Sequence, residues 1–443
     1  KKLQIKILAA VLFFTVAVGE SFTAFAGTFE DAFRAVTLAD MRERWQREKG
    51  LRVQPYVKTR FDWTSNVFKA SDQSFQANPN GSNAVSTKHS DSIWTVSPGV
   101  DFDYQGDYLR LGGSYQADFK YFNRFSEQNT QDQRFMTYAH LKPTEHTYLK
   151  LREDFRQTGL TAGSPVFEPT NLRDNTFDLT LGFENDEKQS VEFLYKNFLR
   201  DFQESLAKRY SYAENVFGLR GYHPVTENIQ IFSGVDWGLV SFEDFESRDT
   251  TYWEIPVGVR GNLFWGWQGL AQIGFHRRNL ESSSRNDFNT VTTKITISRQ
   301  FDFLGDRDAI QNPTSVELGF VRRPVESTFS TATTYDEKMF YGSLKHLITQ
   351  KLRGRFSIYA GNQDYEERVF TGSRVVVNGA VFSTSPNQVR RDDQVTGLTI
   401  GADYDVSRYL KLHLDYNYSR RESNVSGIDF TDNTLSLSAT VPV

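Results

Sequence analysis

The chain has 443 residues, 38% hydrophobic and 24% charged, with a formal net charge of -4 and a mean hydropathy of -0.52. The lack of cysteine excludes disulfides, zinc thiolates and thiol nucleophiles, and the mildly acidic balance argues against a general nucleic-acid binder. Beyond the N-terminus no apolar run approaches the roughly 20 residues of a membrane helix, yet 37 Phe and 20 Tyr suit aromatic girdles at two membrane interfaces.

In chain order, Lys1, Lys2 and Lys6 precede an apolar stretch over 7–18, and Ala24-Phe25-Ala26 places small residues where a signal peptidase reads them. This predicts a secretory signal peptide over 1–26. Residues 27–50 hold the one remaining helical periodicity, Phe29, Phe33, Val36 and Trp45, and predict a periplasmic N-terminal helix stopped at Gly50. Residues 51–443 then read as strand after strand. Strands are expected near 52–66, 90–104, 108–122, 134–144, 146–158, 175–186, 189–203, 212–224 and 228–243. Others follow near 250–264, 267–281, 288–301, 314–329, 334–348, 351–367, 392–406, 409–423 and 431–442.

The stretch from Tyr108 to Phe122 shows the pattern most plainly. Leu109, Leu111, Tyr115, Ala117, Phe119 and Tyr121 share one parity; Arg110, Ser114, Gln116, Asp118 and Lys120 share the other. A strand sends successive side chains to opposite faces, so one face is apolar and the other charged. Tight connectors such as Gly106-Asp107 alternate with long polar ones at 68–90, 158–174 and 368–391. The fold class predicted is all-β: a transmembrane antiparallel up-and-down β-barrel of about 18 strands, with short periplasmic turns and long extracellular loops. One connector departs from this rhythm, 303–313, and is read as a small periplasmic helix or a missed hairpin. Tyr104, Tyr108, Trp265 and Trp267 stand beside short turns, where a periplasmic aromatic belt is expected.

A barrel of this size encloses an aqueous channel, so function depends on what lines it. The inward parity supplies lumen candidates Lys58, Arg60, Arg110, Asp118, Lys120, Lys150, Arg152, Asp154, Arg156, Arg260, Arg353, Arg355, Asp403 and Asp415. Acids concentrate in the first few and last three strands, which become neighbours on closure, and bases are denser through the middle. Opposed charges across a lumen create a transverse field, and a basic ladder guides anionic solutes. Inward Tyr56, Tyr148 and Tyr359 are candidates for stacking on sugar rings. In the longest outer loop, Asn378-Gly379 between β-forming residues signals a hairpin and a candidate gate over the mouth. There is no H-E-x-x-H motif and no G-x-S-x-G elbow. His276 and His413 face the lumen with no serine or acid tied to them by spacing. The reading is therefore a non-enzyme without cofactor or metal.

Two segments carry a resemblance. Val53-Gln54-Pro55-Tyr56 leads to Phe61-Asp62-Trp63-Thr64-Ser65-Asn66-Val67-Phe68, and Asp91-Ser92-Ile93-Trp94-Thr95-Val96-Ser97-Pro98-Gly99-Val100 follows. This opening resembles the β-barrel porin family associated with exopolysaccharide biosynthesis operons. The resemblance implies an outer-membrane channel that exports a charged exopolysaccharide from the periplasm to the cell surface. It implies as partners the polysaccharide, outer-membrane lipid, and periplasmic scaffold and synthase proteins, with no nucleic acid. The location expected is the outer membrane of a Gram-negative-type bacterium after signal-peptide cleavage. Two alternatives stand beside export: a general or sugar-selective uptake porin, and a barrel-embedded lipid or glycan hydrolase.

Overall fold

The structure, a computed structural model, describes residues 50–69, 88–160, 170–203, 208, 210–244, 248–280, 287–301, 314–327, 334–370, 375–377, 380–382, 388–425 and 429–442. The expected signal peptide and N-terminal helix, up to residue 49, lie outside the described residues.

The first strands are β1 (Gly50–Thr64), β2 (Asp91–Gln105), β3 (Leu109–Phe122), β4 (Thr130–Leu141), β5 (Thr147–Leu160), β6 (Thr170–Glu184) and β7 (Ser190–Phe202). Next come β8 (Tyr212–Thr226), β9 (Ile229–Phe242), β10 (Thr250–Phe264), β11 (Trp267–Leu280), β12 (Phe288–Phe301), β13 (Thr314–Glu326), β14 (Thr334–Leu347) and β15 (Leu352–Phe370). The short β16 (Val375–Val377) and β17 (Ala380–Phe382) pair only with each other, and β18 (Gln388–Ser407), β19 (Leu410–Ser423) and β20 (Phe430–Pro442) complete the chain. All but β16 and β17 join one antiparallel sheet of 18 strands in sequential order. β20 pairs with β1 from Tyr56↔Pro442 to Thr64↔Thr434, so the sheet closes.

Closure explains how strands so polar on one face avoid an exposed edge in lipid, where every backbone group must find a partner. Following the register row from Tyr56 once around the wall returns to β1 about 22 residues further along, which with 18 strands sets a tilt of about 40° and a radius of about 18 Å. Gly50 faces Gln105 and Thr64 faces Asp91. The barrel's first residue therefore lies at the end of the tight connectors, among them 106–108, 227–228 and 265–266. The last of these is a two-residue turn with φ of 44° at Trp265 and 77° at Gly266, the conformation that matches strand twist in a hairpin.

The outward parity carries exposed apolar side chains all round the wall, including Leu51, Trp63, Trp94, Leu181, Phe193, Trp237, Ile255, Ile273, Phe340, Ile358, Ile400 and Leu437. Such a continuous surface would be an aggregation hazard in water and requires lipid. On β2 the band runs from Trp94, near the long-loop end, to Tyr104, near the tight-turn end. Ten residues at ~3.3 Å each, tilted by ~40°, span ~25 Å, the height of a bilayer's apolar band. Tyr108 (64% exposed) and Trp265 (84% exposed) extend from the tight-turn end as the expected belt.

Two expectations are corrected. β4 starts at Thr130 rather than 134, and β6 at Thr170 rather than 175. In both, the extra residues lie above the apolar band, where Gln131, Gln133, Asn171 and Arg173 occupy the outward parity and leave no alternation to read. The segment 302–313 lies outside the described residues, but β12 pairs directly with β13. No pair of wall strands is missing there.

Candidate functional site

The other parity builds the lumen wall. Tyrosines there stand in direct register with glycines: Tyr56 with Gly99, Tyr138 with Gly112, Tyr148 with Gly182, Tyr252 with Gly238, Tyr341 with Gly319 and Tyr359 with Gly397. A Cβ at any of these glycines would overlap the facing ring, so each ring lies flat across the neighbouring strand. The hydroxyl then reaches the strand beyond. Tyr56 donates to Gln116 Oε1 (3.0 Å), Tyr148 to Glu192 Oε1 (2.6 Å) and Tyr252 to Glu214, while Tyr341 Oη lies 2.9 Å from Thr296 Oγ1. Each of these four tyrosines staples three strands.

Charged residues follow a rule of depth. Asp154 is 3% exposed, whereas Arg134, 3.8 Å away, is 44% exposed. Glu192 is 5% exposed beneath Lys150 at 48%, 3.7 Å away. The same order holds for Arg152 over Asp154 (3.6 Å), Arg260 over Glu192 (4.0 Å) and Arg323 over Glu337 (3.2 Å). Short carboxylate side chains end close to the backbone, while the longer stems of Arg and Lys carry their charge past them into the bore. Through β4–β10 a solute therefore meets a cationic surface, although the wall beneath it is rich in carboxylates. The expectation that bases outnumber acids through the middle is refined: depth, not count, separates them.

Between β15, β18 and β19 depth does not sort the charges, whereas on β1 Arg60 again overlies a buried Asp62. Arg355 Nη2 lies 2.8 Å from Asp403 Oδ1 and 3.0 Å from Asp415 Oδ1, and all three are equally half-buried. Arg353 is in register with Asp403. Arg60 Nε lies 2.8 Å from Asp62 Oδ2, Lys58 follows on the same face, and Asp118 accepts from Gln116 Nε2 at 2.6 Å. Asp118 also faces Asp132 in register, and Lys120 pairs with Asp132. Arg156 stands in register with Arg134 on one side and Asp174 on the other. Arg110 is exposed at the tight-turn mouth, opposite His140. Arg260 also covers the Tyr222 ring at 3.6 Å.

The two mouths differ. Near the tight turns Arg110, Lys150 and Arg353 are exposed. Toward the long connectors the inner wall is packed: Phe202, Tyr212, Val240, Phe242 and Tyr252 are buried, as are the pairs Arg278–Glu326 and Arg391–Asp393. Arg248, between β9 and β10, donates to the Ser327 carbonyl at 2.5 Å, just past β13. This strut ties the rim across β10 to β13.

Asn378 and Gly379 lie outside the described residues. Their flanks pair as Val377↔Ala380, as a two-residue hairpin requires. Each lumen histidine meets an acid across strands: His413 Nδ1 lies 2.6 Å from Asp403 Oδ1, and His276 Nδ1 lies 3.3 Å from Glu254 Oε2. Both acids come from neighbouring strands, which spacing along the chain cannot reveal. Sequence reasoning also missed Arg134, Asp132 and Glu192. Asp132 was lost with the start of β4, whereas Arg134, at the first position of the expected strand, and Glu192 would have followed from strand parity.

Comparison with curated proteins finds no match. Among solved structures, the outer membrane protein OpdK from Pseudomonas aeruginosa is similar at 12% identity and a TM-score of 0.45, covering 88% of this chain and 99% of that chain. A BenF-like porin from Pseudomonas fluorescens Pf-5 is similar at 12% identity and a TM-score of 0.43, with 88% and 99% covered. The family described as Putative beta-barrel porin 2 matches residues 218–442, half of the chain. The closed wall and its lipid-facing band agree with that match, and the chain belongs to the family Putative beta-barrel porin 2, an outer-membrane β-barrel porin.

Proposed function

We propose that this porin is a diffusion channel for the uptake of small anionic solutes. The observation that carries the reading is the depth rule: Arg134, Lys150, Arg152 and Arg260 extend into the bore above buried Asp154 and Glu192. A solute sees the exposed charge at short range, because the water-filled bore screens the buried charge behind it and a Debye length is only ~10 Å at 0.1 M salt. The opposing seam, with Asp403 and Asp415 at equal depth with Arg355, supplies the other pole of a transverse field.

Export of an anionic polysaccharide, which the resemblance of the first hairpin implies, would use the same basic path. It also needs a bore wide enough for a polymer over its whole length. The packed inner wall toward the long connectors favours small solutes instead. Conductance of purified protein in planar bilayers separates the two readings. Uptake predicts steady conductance that small carboxylates modulate and that a long anionic polysaccharide added on the tight-turn side leaves unchanged. Stable block by the polymer, with no response to small carboxylates, would overturn the uptake reading in favour of export.

A further inference from the structure

One register row stands apart from the rest of the wall. Tyr56, Gly99, Gln116, Arg134 and Arg156 are successive cross-strand partners on β1 to β5, all on the lumen face. Directly opposed like charges destabilise a sheet, yet Arg134 and Arg156 are direct partners, and Arg200 follows two strands later beyond Asp174. Asp154, the carboxylate nearest Arg134, is 3.8 Å from it and is shared with Arg152 at 3.6 Å. Two guanidinium groups thus share one buried carboxylate, Arg156 stands in register between Arg134 and Asp174, and the Arg134 head is among the most exposed of the paired bases. At the other end of the row the Tyr56 ring lies flat on Gly99, pinned by its bond to Gln116 Oε1 at 3.0 Å, and is half-buried. With one ring face against the wall, its exposed face is the lumenal one.

We propose that this row is a binding subsite for a small ring-bearing carboxylate, with the carboxylate held between Arg134 and Arg156 and the ring resting on the exposed face of Tyr56. The dimensions agree. Neighbouring strands are ~4.8 Å apart, so β1 and β4 lie ~14 Å apart, and the Tyr56 ring covers the first ~5 Å of that distance. The remaining ~9 Å suits a carboxylate attached to one six-membered ring, contacted by an arginine that leans along the row. A paired guanidinium fork matches carboxylate geometry better than lysine would, and a flat aromatic face accepts either the apolar face of a sugar or an aromatic ring. The inference rests on the anion-uptake reading and names its substrate class.

The test measures solute-induced current noise, or block, in bilayers holding the full-length protein. The matched probes are galacturonate, acyclic galactonate, neutral galactose and benzoate. Wild-type protein is expected to bind galacturonate and benzoate roughly tenfold or more tightly than galactonate, and galactose hardly at all. Arg134→Gln and Arg156→Gln are each expected to weaken every carboxylate roughly tenfold, whereas Tyr56→Leu weakens only the two ring-bearing ones. A benzoate response without galacturonate binding assigns the site to aromatic acids, and the reverse assigns it to sugar acids. Equal affinity for galacturonate and galactonate in the wild type, or no effect of Arg134→Gln, overturns the subsite. Either result can occur in an anion-selective channel, so it stands apart from failure of the uptake reading, which a cation-selective wild type would show. The wild-type comparison holds even where a variant does not assemble.

Discussion

At the scale of single residues, side-chain length decides what the lumen presents. Asp154 and Glu192 keep their charge at the wall while Arg134 and Lys150 carry theirs inward, so an acidic protein acquires a basic path. Removing an acid and removing a base therefore have different consequences. Lys150→Gln takes a charge from the solute's view, while Glu192→Gln keeps an acceptor for Tyr148 and mainly deprives Lys150 and Arg260 of their counter-charge. The glycines obey the same close-range logic. Gly182→Ala would drive a methyl group into the Tyr148 ring, and the staple to Glu192 would break. The expected cost is about 1–3 kcal/mol in equilibrium unfolding from lipid vesicles. Gly221→Ala, where nothing lies within 4 Å, should change stability little in the same measurement. Equal effects at the two sites would contradict the staple.

At the scale of elements, the residues that suggested a family prove to be a clasp. Thr64 Oγ1 and the Asn66 N–H both donate to Asp432 Oδ1, at 2.8 and 3.1 Å, while the Ser65 N–H donates to the Asn433 carbonyl and the Asn433 N–H donates to Ser65 Oγ. Asn66 Nδ2 donates to the Thr431 carbonyl at 3.1 Å. The end of the first strand is thus locked to the start of the last, where closure needs its two most distant segments held in register. Asp432→Ala takes the acceptor from four donors, Thr64 Oγ1, Ser65 Oγ, the Asn66 N–H and Thr434 Oγ1, and should cost about 2–3 kcal/mol. The readout is the temperature at which the folded band is lost on unheated electrophoresis. An unchanged temperature would show that the seam does not depend on the clasp.

Strand parity was legible within the bilayer because lipid on one side and water on the other force a period of two. Above the apolar band that contrast ends, and so the starts of β4 and β6 were misplaced. The lumen residues were legible as a set, since parity alone sends Lys150, Arg152 and Arg355 inward. Their depth and their partners were not. His413 meets Asp403, and Arg134 meets Arg156, only through the register between strands.

At the scale of the whole molecule, the barrel is polarised twice. Across the bore, the exposed bases of β4–β10 face β15, β18 and β19, where Arg355, Asp403 and Asp415 share one depth. Along the axis, among the described residues, exposed bases stand near the tight-turn mouth and the inner wall toward the other mouth is packed. The first asymmetry should make permeation depend on ionic strength. Raising salt from 0.1 to 1 M shortens the Debye length from ~10 to ~3 Å, so the preference for anions should fall. A preference independent of salt would point to size exclusion rather than charge. The central claim is tested most directly by the zero-current potential across a bilayer under a potassium chloride gradient. The wild-type channel should show the sign of chloride selectivity, and the combined variant Arg134→Glu, Lys150→Glu, Arg152→Glu should reverse it. Cation selectivity in the wild type, or a potential unmoved by those three reversals, would contradict a basic path through this lumen.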